Sequence, residues 1–313
     1  MSLFFVFPGQ GSQYVGMGKN LYENFAEAKE TFDLANEILN FDLAKLCFEG
    51  PENELNLTNN TQPALLTTSV ATLAVLKAQG YNPQAAAGHS LGEYTALVCA
   101  GAMSFADAVR LVRLRGQYMQ EAAAEATGGM AAILGLDSAA VADVCAQVSA
   151  TGHRVDAVNY NCPGQVVIAG TQNGLQRAMD LAKEAGARRC IPLAVSGPFH
   201  SSLMQPAGEK LADALAGVTI HNPQIPVLSN VTADYIENPV EIKTKLVEQV
   251  YSPVRWEEIV QRMAKDGCTQ ALEVGPGKVL SGLIKKTNKE IKTFNVEDKE
   301  TLEKVLAQLK EVG

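Results

Sequence analysis

Near its start the chain carries an unbroken apolar run, Leu3-Phe4-Phe5-Val6-Phe7. Apolar side chains without polar alternation predict a strand buried on both faces, as in a parallel sheet. A glycine-rich loop over 8–18 follows. Thr61-Gln62-Pro63 offers an N-cap with proline in the first turn, so a helix is expected from there to about Gln79. After a turn at 80–83, the apolar segment Ala85-Ala86-Ala87 leads into Gly88-His89-Ser90-Leu91-Gly92 and then an apolar stretch to Cys99. That is the pattern of a strand, a sharp turn and a helix.

From Gly128 to Ser196 the punctuation becomes shorter and regular. Strands are expected over 130–136, 155–159, 165–169 and 189–195. Asp137 caps a helix reaching about 149 and Thr171 caps another reaching about 185. The order β-α-β-β-α-β is the ferredoxin-like arrangement, for which about 70 residues suffice. Beyond Gly197 the pattern returns to mixed α/β, with a helix over about 241–249 that stops before Pro253 and a strand over 270–274. The expected fold class is therefore α/β. A large domain with a parallel sheet (1–127 and 197–313) is interrupted by a small α+β subdomain (128–196).

Composition narrows the function classes. The 313 residues hold 26 Lys and Arg against 34 Asp and Glu, a net charge of −8, which disfavours wholesale binding to a nucleic-acid backbone. The 6 cysteines are scattered, with no C-x-x-C pair and no grouping with His, so neither zinc nor a disulfide framework is signalled. No apolar run approaches the ~18 residues that span a bilayer, and Met1 leads into a strand without a basic leader. A cytoplasmic, unprocessed protein with no membrane partner is expected.

Gly88-x-Ser90-x-Gly92 between a strand and a helix fits a nucleophile elbow, whose glycines permit the tight turn that exposes a serine oxygen. A glycine-flanked serine in an ordinary turn is the plain alternative. The helix start directs free N–H groups at the same place, which makes the Leu91 N–H a natural oxyanion donor. A serine needs a base, and the chain has 4 histidines: His89, His153, His200 and His221. His89 adjoins the serine across the turn, while His153 and His221 sit in polar, turn-like sequence. His200 follows a strand end, where active-site loops of α/β sheets gather, and is the best base. With Pro253 stopping the preceding helix, the Gln249 carbonyl is free to accept the His200 N–H and fix its tautomer. A triad completed by Asp or Glu is the competing reading.

On the helix expected over 105–122, Phe105, Ala108, Val109, Leu111, Val112, Tyr118 and Met119 share one face, and Arg115 falls in its middle. A guanidinium placed there must be paired, either by an internal partner such as a core Glu or by a substrate carboxylate. Gly9-x-Gly11 starts a dinucleotide fingerprint, but Tyr14 occupies the next glycine position. Gly277-Lys278 resembles a P-loop end, but Val279 and Leu272 break it. The loop Pro8-Gly9-Gln10-Gly11 has a better use, bringing the Gln10 N–H toward the same oxyanion as Leu91.

Together these residues resemble a known family, the malonyl-CoA:acyl carrier protein transacylases and the related acyltransferase domains of polyketide synthases. The likeness spans nearly the whole chain. It is carried by residues 7–13 (Phe-Pro-Gly-Gln-Gly-Ser-Gln), Thr61-Gln62-Pro63-Ala64, Gly88-His89-Ser90-Leu91-Gly92-Glu93 and Arg115-Gly116. Further on it continues in Asn159-Tyr160-Asn161, Pro163-Gly164-Gln165, Phe199-His200-Ser201 and Glu273-Val274-Gly275-Pro276-Gly277. The resemblance implies an α/β-hydrolase-like large domain. It also implies Ser90 as acyl carrier, His200 as base, Gln249 as its orienter, Gln10 and Leu91 as oxyanion donors, and Arg115 as the malonyl clamp. Phe199, Asn159 and Asn161 are then expected to bind substrate, with Phe199 filling the room of an α-methyl group. Cys162 stands where relatives often have Ser.

The implied reaction is ping-pong transfer of malonyl from its coenzyme A thioester to the phosphopantetheine thiol of acyl carrier protein, for fatty acid biosynthesis. No permanently bound cofactor or metal and a monomeric enzyme are expected. The acidic carrier is expected to dock on basic residues such as Arg188, Arg189, Lys285 and Lys286. A polyketide-pathway acyltransferase, a serine thioesterase or hydrolase, and a non-catalytic carrier-binding module are the rival readings.

Overall fold

The structure, a computed structural model, describes residues 2–195 and 197–310. Met1, Ser196 and residues 311–313, at the ends of the expected segments, lie outside the described residues.

Among the described residues, ten strands form two sheets. Strands β1 (Leu3–Phe7), β2 (Ala85–Gly88), β7 (Val227–Leu228), β8 (Tyr235–Ile236), β9 (Gln270–Val274) and β10 (Lys292–Val296) build the first, in the order β10-β9-β1-β2-β7-β8. All its pairings are parallel except β7 with β8. The apolar run of β1 is buried because the strand has a neighbour on each edge and helices against the sheet. Strands β3 (Gly128–Leu134), β4 (Val155–Cys162), β5 (Gln165–Thr171) and β6 (Arg189–Pro192) form a second, antiparallel sheet in the order β4-β5-β3-β6. Helices Ser138–Ala150 and Gln172–Glu184 cover it. Asp137 and Thr171 cap them, accepting from Ala139 N and Gly174 N. Ile133, Val144, Val166 and Ile168 belong to a core cluster of this layer's own.

The two sheets are joined by more than the chain. Tyr160 N donates to Val254 O (3.0 Å) and Val254 N to Val158 O (2.8 Å), so β4 is extended by a segment just beyond Gln249.

Several expected boundaries move. Strand β3 begins at Gly128 and stops before Gly135, whose φ is +80°. Strand β4 continues past Asn159 because irregular registers near Ala157 and Tyr160 absorb the twist, whereas β6 ends at Pro192. Helix Phe105–Ala126 outruns its expected end at 122. The largest correction is the helix Thr58–Ala78, which starts before Thr61 and encloses Pro63. Thr61 is therefore no cap, and its hydroxyl donates to Leu55 O and Leu57 O. Pro63 cannot donate to Asn59 O four residues back. Arg113 Nη1 takes that carbonyl instead, at 2.7 Å.

Candidate active site

Glycine builds the elbow by close approach. A Cβ on Gly88 would lie 1.9 Å from the Gly92 carbonyl carbon, and one on Gly92 would lie 2.1 Å from Phe7 O. Only bare backbone fits there, and the turn puts Ser90 at φ 51° in the left-handed region. Asn230 pins the turn: Ser90 N donates to its Oδ1 (2.6 Å) and its Nδ2 donates to Gly88 O (2.7 Å).

His200, itself at φ 63°, stands over the elbow with Nε2 2.7 Å from Ser90 Oγ. Its Nδ1 lies 2.8 Å from Gln249 O, at the end of helix Pro239–Gln249. A carbonyl can only accept, so Nδ1 carries the proton and Nε2 presents its lone pair to the serine hydroxyl. No carboxylate bonds the ring among the described residues. Burial, reinforced by the nearby Arg115 charge, pushes the imidazole down to about 3, so it is neutral at physiological pH.

Arg115 is buried from helix Phe105–Ala126 among neutral groups. Nη1 donates to Gln62 Oε1 (2.8 Å), and Nη2 donates to Gln249 Oε1 (2.9 Å) and to Ser90 Oγ (3.3 Å). Nε has no partner among the described residues, and the guanidinium lies 5.4 Å from the Tyr94 ring centre. The core Glu weighed as an internal partner exists, as Glu93, but it makes no ion pair with the fork. Its Oε2 accepts from Gln249 Nε2 (2.6 Å) and Asn230 N (3.1 Å).

Ser90, His200 and Arg115 open on one cavity of about 110 Å³ at the C-terminal ends of β1 and β2. Gln10 and Leu91 line it, and neither backbone N–H has a partner among the described residues. The Gln10 loop comes this close because Gly9 has no Cβ, which would sit 2.4 Å from His89 O. Met119, Met130, Leu193, Val195 and Phe199 form the apolar side. Asn159 also faces the cavity, its buried Oδ1 without a partner among the described residues. Asn161 is not brought there, because its Oδ1 meets His89 Nε2 at 2.9 Å.

Of the basic residues, Arg188, Arg189 and Lys286 line a separate cavity of about 560 Å³ beside the turns at 134–137 and 162–165 of the antiparallel layer, and Lys285 is not among its lining. Among the described residues there is no cluster of metal-binding side chains, and no helix is long and apolar enough to cross a membrane. Gln62, Glu93 and Asn230 were missed as site residues by sequence reasoning. The signal for Glu93 was present, since it is the one charged residue in the apolar stretch behind the elbow.

Residues 4–309 match the model of the acyl transferase domain family. The malonyl CoA-acyl carrier protein transacylase of Bacillus subtilis (strain 168) is 54% identical over 307 residues, which cover 98% of this chain and 97% of that protein. A crystal structure of an acyl carrier protein S-malonyltransferase from Vibrio cholerae superposes with a TM-score of 0.94 at 49% identity, covering 97% of this chain and 100% of that one. A malonyl-transacylase solved in complex with a type II polyketide synthase acyl-carrier protein gives 0.95 at 47% identity, covering 98% and 100%. With an elbow serine bonded to a neutral histidine, and with likeness of this extent, the chain belongs to the acyl transferase family, alongside the malonyl CoA-acyl carrier protein transacylases, and is an acyltransferase.

Proposed function

We propose that this enzyme moves the malonyl group from malonyl-CoA to the phosphopantetheine thiol of acyl carrier protein through a malonyl ester of Ser90. The observation that carries the reading is a guanidinium that meets no carboxylate directly, 3.3 Å from a serine oxygen that is itself hydrogen-bonded to a neutral imidazole. His200 Nε2 takes the Ser90 proton as Oγ attacks the thioester carbonyl. The oxyanion is held by the N–H groups of Gln10 and Leu91, and its collapse breaks the C–S bond. The departing coenzyme A sulfur receives the proton from His200. The carrier thiol then gives its proton to His200, attacks the ester and returns the serine hydroxyl. Gln249 O holds the imidazole in the tautomer both halves require.

Arg115 receives the free carboxylate, which separates a malonyl group from a plain acyl chain. Phe199 occupies the room that an α-methyl group needs, and Asn159 offers an acceptor to the thioester arm. Asn161 acts at one remove, by holding His89. Arg188, Arg189 and Lys286 present positive charge to the acidic carrier.

The same reading treats 1–127 and 197–313 as an α/β-hydrolase-like domain and 128–196 as a ferredoxin-like insert, which the strand order β4-β5-β3-β6 supports. It places a monomeric enzyme without a resident cofactor in the cytoplasm, serving fatty acid biosynthesis. Likeness to a transacylase bound to a polyketide carrier keeps a polyketide pathway as the second reading, and transfer rates to the two carrier types separate them.

Intact-mass analysis after mixing with malonyl-, methylmalonyl- and acetyl-CoA tests the chemistry. Stoichiometric malonylation at Ser90 is expected, with little labelling by the other two and none in Ser90→Ala. In Arg115→Ala, acetyl should gain on malonyl. Equal labelling by all three thioesters in the parent enzyme would sink the clamp, and hydrolysis of malonyl-CoA as fast as transfer would favour a hydrolase.

A further inference from the structure

Glu93 is a buried carboxylate that the reaction above does not use. It lies at the junction of everything that does act. Through Oε2 it accepts from Asn230 N, whose side chain pins the elbow, and from Gln249 Nε2. Gln249 in turn presents its side-chain Oε1 to Arg115 and its backbone oxygen to His200. The amide is thus oriented by a cation at one end and an anion at the other. Glu93 is the counter-charge of Arg115, held one amide away.

The two carboxyl oxygens are unequal. Oε2 takes both hydrogen bonds, and Oε1 is buried without a partner among the described residues. A buried oxygen served by no more than the rotatable Ser229 hydroxyl nearby costs free energy when the group is ionised, and that hydroxyl can turn to accept instead. The same oxygen can carry a proton without disturbing either bond to Oε2. The charged and titratable groups facing Glu93 are Arg115 from helix Phe105–Ala126 and Tyr94 on its own helix. The other elements packed against it bring neutral groups, Gln249, Ser229 and Asn230, and His200 lies beyond Gln249.

We propose that Glu93 is a positioning residue that takes up a proton from bulk solvent on Oε1 when a substrate carboxylate pairs with Arg115, so that malonyl binding is coupled to protonation of the enzyme. This rests on Arg115 being the carboxylate clamp. Two carboxylates sharing one guanidinium in a space this dry cannot both remain ionised cheaply, and the substrate's makes the direct contact. Burial already pushes Glu93 up to about 7 against the opposing pull of Gln249, Asn230, Arg115 and the Ser229 hydroxyl, so the group is poised near neutral pH before substrate arrives.

Calorimetric titration of Ser90→Ala, which cannot turn over, in pairs of buffers with different ionisation enthalpies counts protons taken up. Malonyl-CoA should draw in a fraction of a proton near pH 7.5 and acetyl-CoA none. The Kd for malonyl-CoA should rise with pH above neutrality, by up to about tenfold per unit, the limit for one linked proton. In Ser90→Ala with Glu93→Gln, whose amide oxygen still accepts from Gln249 and Asn230, uptake and pH dependence should vanish while malonyl still outbinds acetyl. Difference infrared spectra of Ser90→Ala alone supply the readout that needs no second variant: a protonated carboxyl C=O stretch should appear with malonyl-CoA and not with acetyl-CoA. Undiminished uptake in the Glu93→Gln background overturns the proposal, as does its absence from Ser90→Ala while malonyl remains preferred. Equal binding of both thioesters, unaltered by Arg115→Ala, overturns the clamp as well.

Discussion

Ser90 and His200 both occupy the left-handed region, at φ 51° and 63°, conformations that cost a residue with a side chain on the order of 1–3 kcal/mol. The bonds around them offset that cost: two from Asn230 at the elbow and one from Gln249 O at the imidazole. The same burial sets the pH behaviour. A histidine protonates near 6.5 in the unfolded chain, whereas here the imidazole is held neutral until about 3. Its contribution to stability is full above about 6.5 and falls as pH drops from there toward 3, because only the unfolded chain gains the proton in that window. For catalysis, kcat/KM for acetyl-CoA, which does not engage Arg115, should stay flat from pH 7 to 5 in a stopped assay. An acid limb centred near 6.5 would show that the base titrates like a solvated histidine. Ser90, His200 and Arg115 were legible because each breaks the local pattern around it. Gln62 and Asn230 were not, since each acquires meaning only from a partner far away along the chain, and Glu93, which does break an apolar stretch, shows what it serves only through Gln249.

Among the elements, helix Thr58–Ala78 is buried nearly all round, so periodicity gives no face to read. Two of its threonines are satisfied within the helix, Thr68 and Thr72 donating to the carbonyls of Ala64 and Thr68, whereas Thr67 Oγ1 and Ser69 Oγ are buried without a partner among the described residues. The proline within it reads as a start signal, because a helix interior ordinarily rejects proline. What makes it tolerable is Arg113, which donates to Asn59 O and to Asn60 Oδ1 and stacks on Phe41. Arg113→Ala should therefore destabilise the protein by about 1.5–3 kcal/mol in urea unfolding, the range for charged hydrogen bonds. With Pro63→Ala the helix regains its own donor, so the same change should then cost measurably less. Identical costs in both backgrounds would remove the compensation. By contrast, the caps at Asp137 and Thr171 are legible in the sequence, because capping uses neighbours within three residues.

For the whole molecule, the antiparallel layer has its own core cluster, while strands of the parallel sheet draw on two others. Ile168→Ala, in that separate core, should cost ~2–5 kcal/mol locally. Hydrogen exchange should speed up across 128–192 well before it does in β1, β2 and β9, and uniform acceleration would mean that the layers unfold as one. The cavity depends on both layers. Met130, Leu193 and Val195 come from the antiparallel layer and its exit, while Gln10, Ser90 and Arg115 come from the larger layer.

The sequence by itself determined β1, β2, β9 and the four strands of the antiparallel layer, the tight serine turn, the histidine that meets it and the misplaced arginine, because strands, glycine turns and helix faces are written in neighbouring residues, whereas β7, β8 and β10 were not legible in it. Only the tertiary structure decided what surrounds the arginine. Whether a buried cation meets an acid directly or through an amide depends on side chains from Gln62, Glu93 and Gln249, which lie on three different helices. Folding brings Gln62 and Gln249 within 3 Å of the guanidinium and Glu93 within 3 Å of Gln249, and no local pattern encodes those distances.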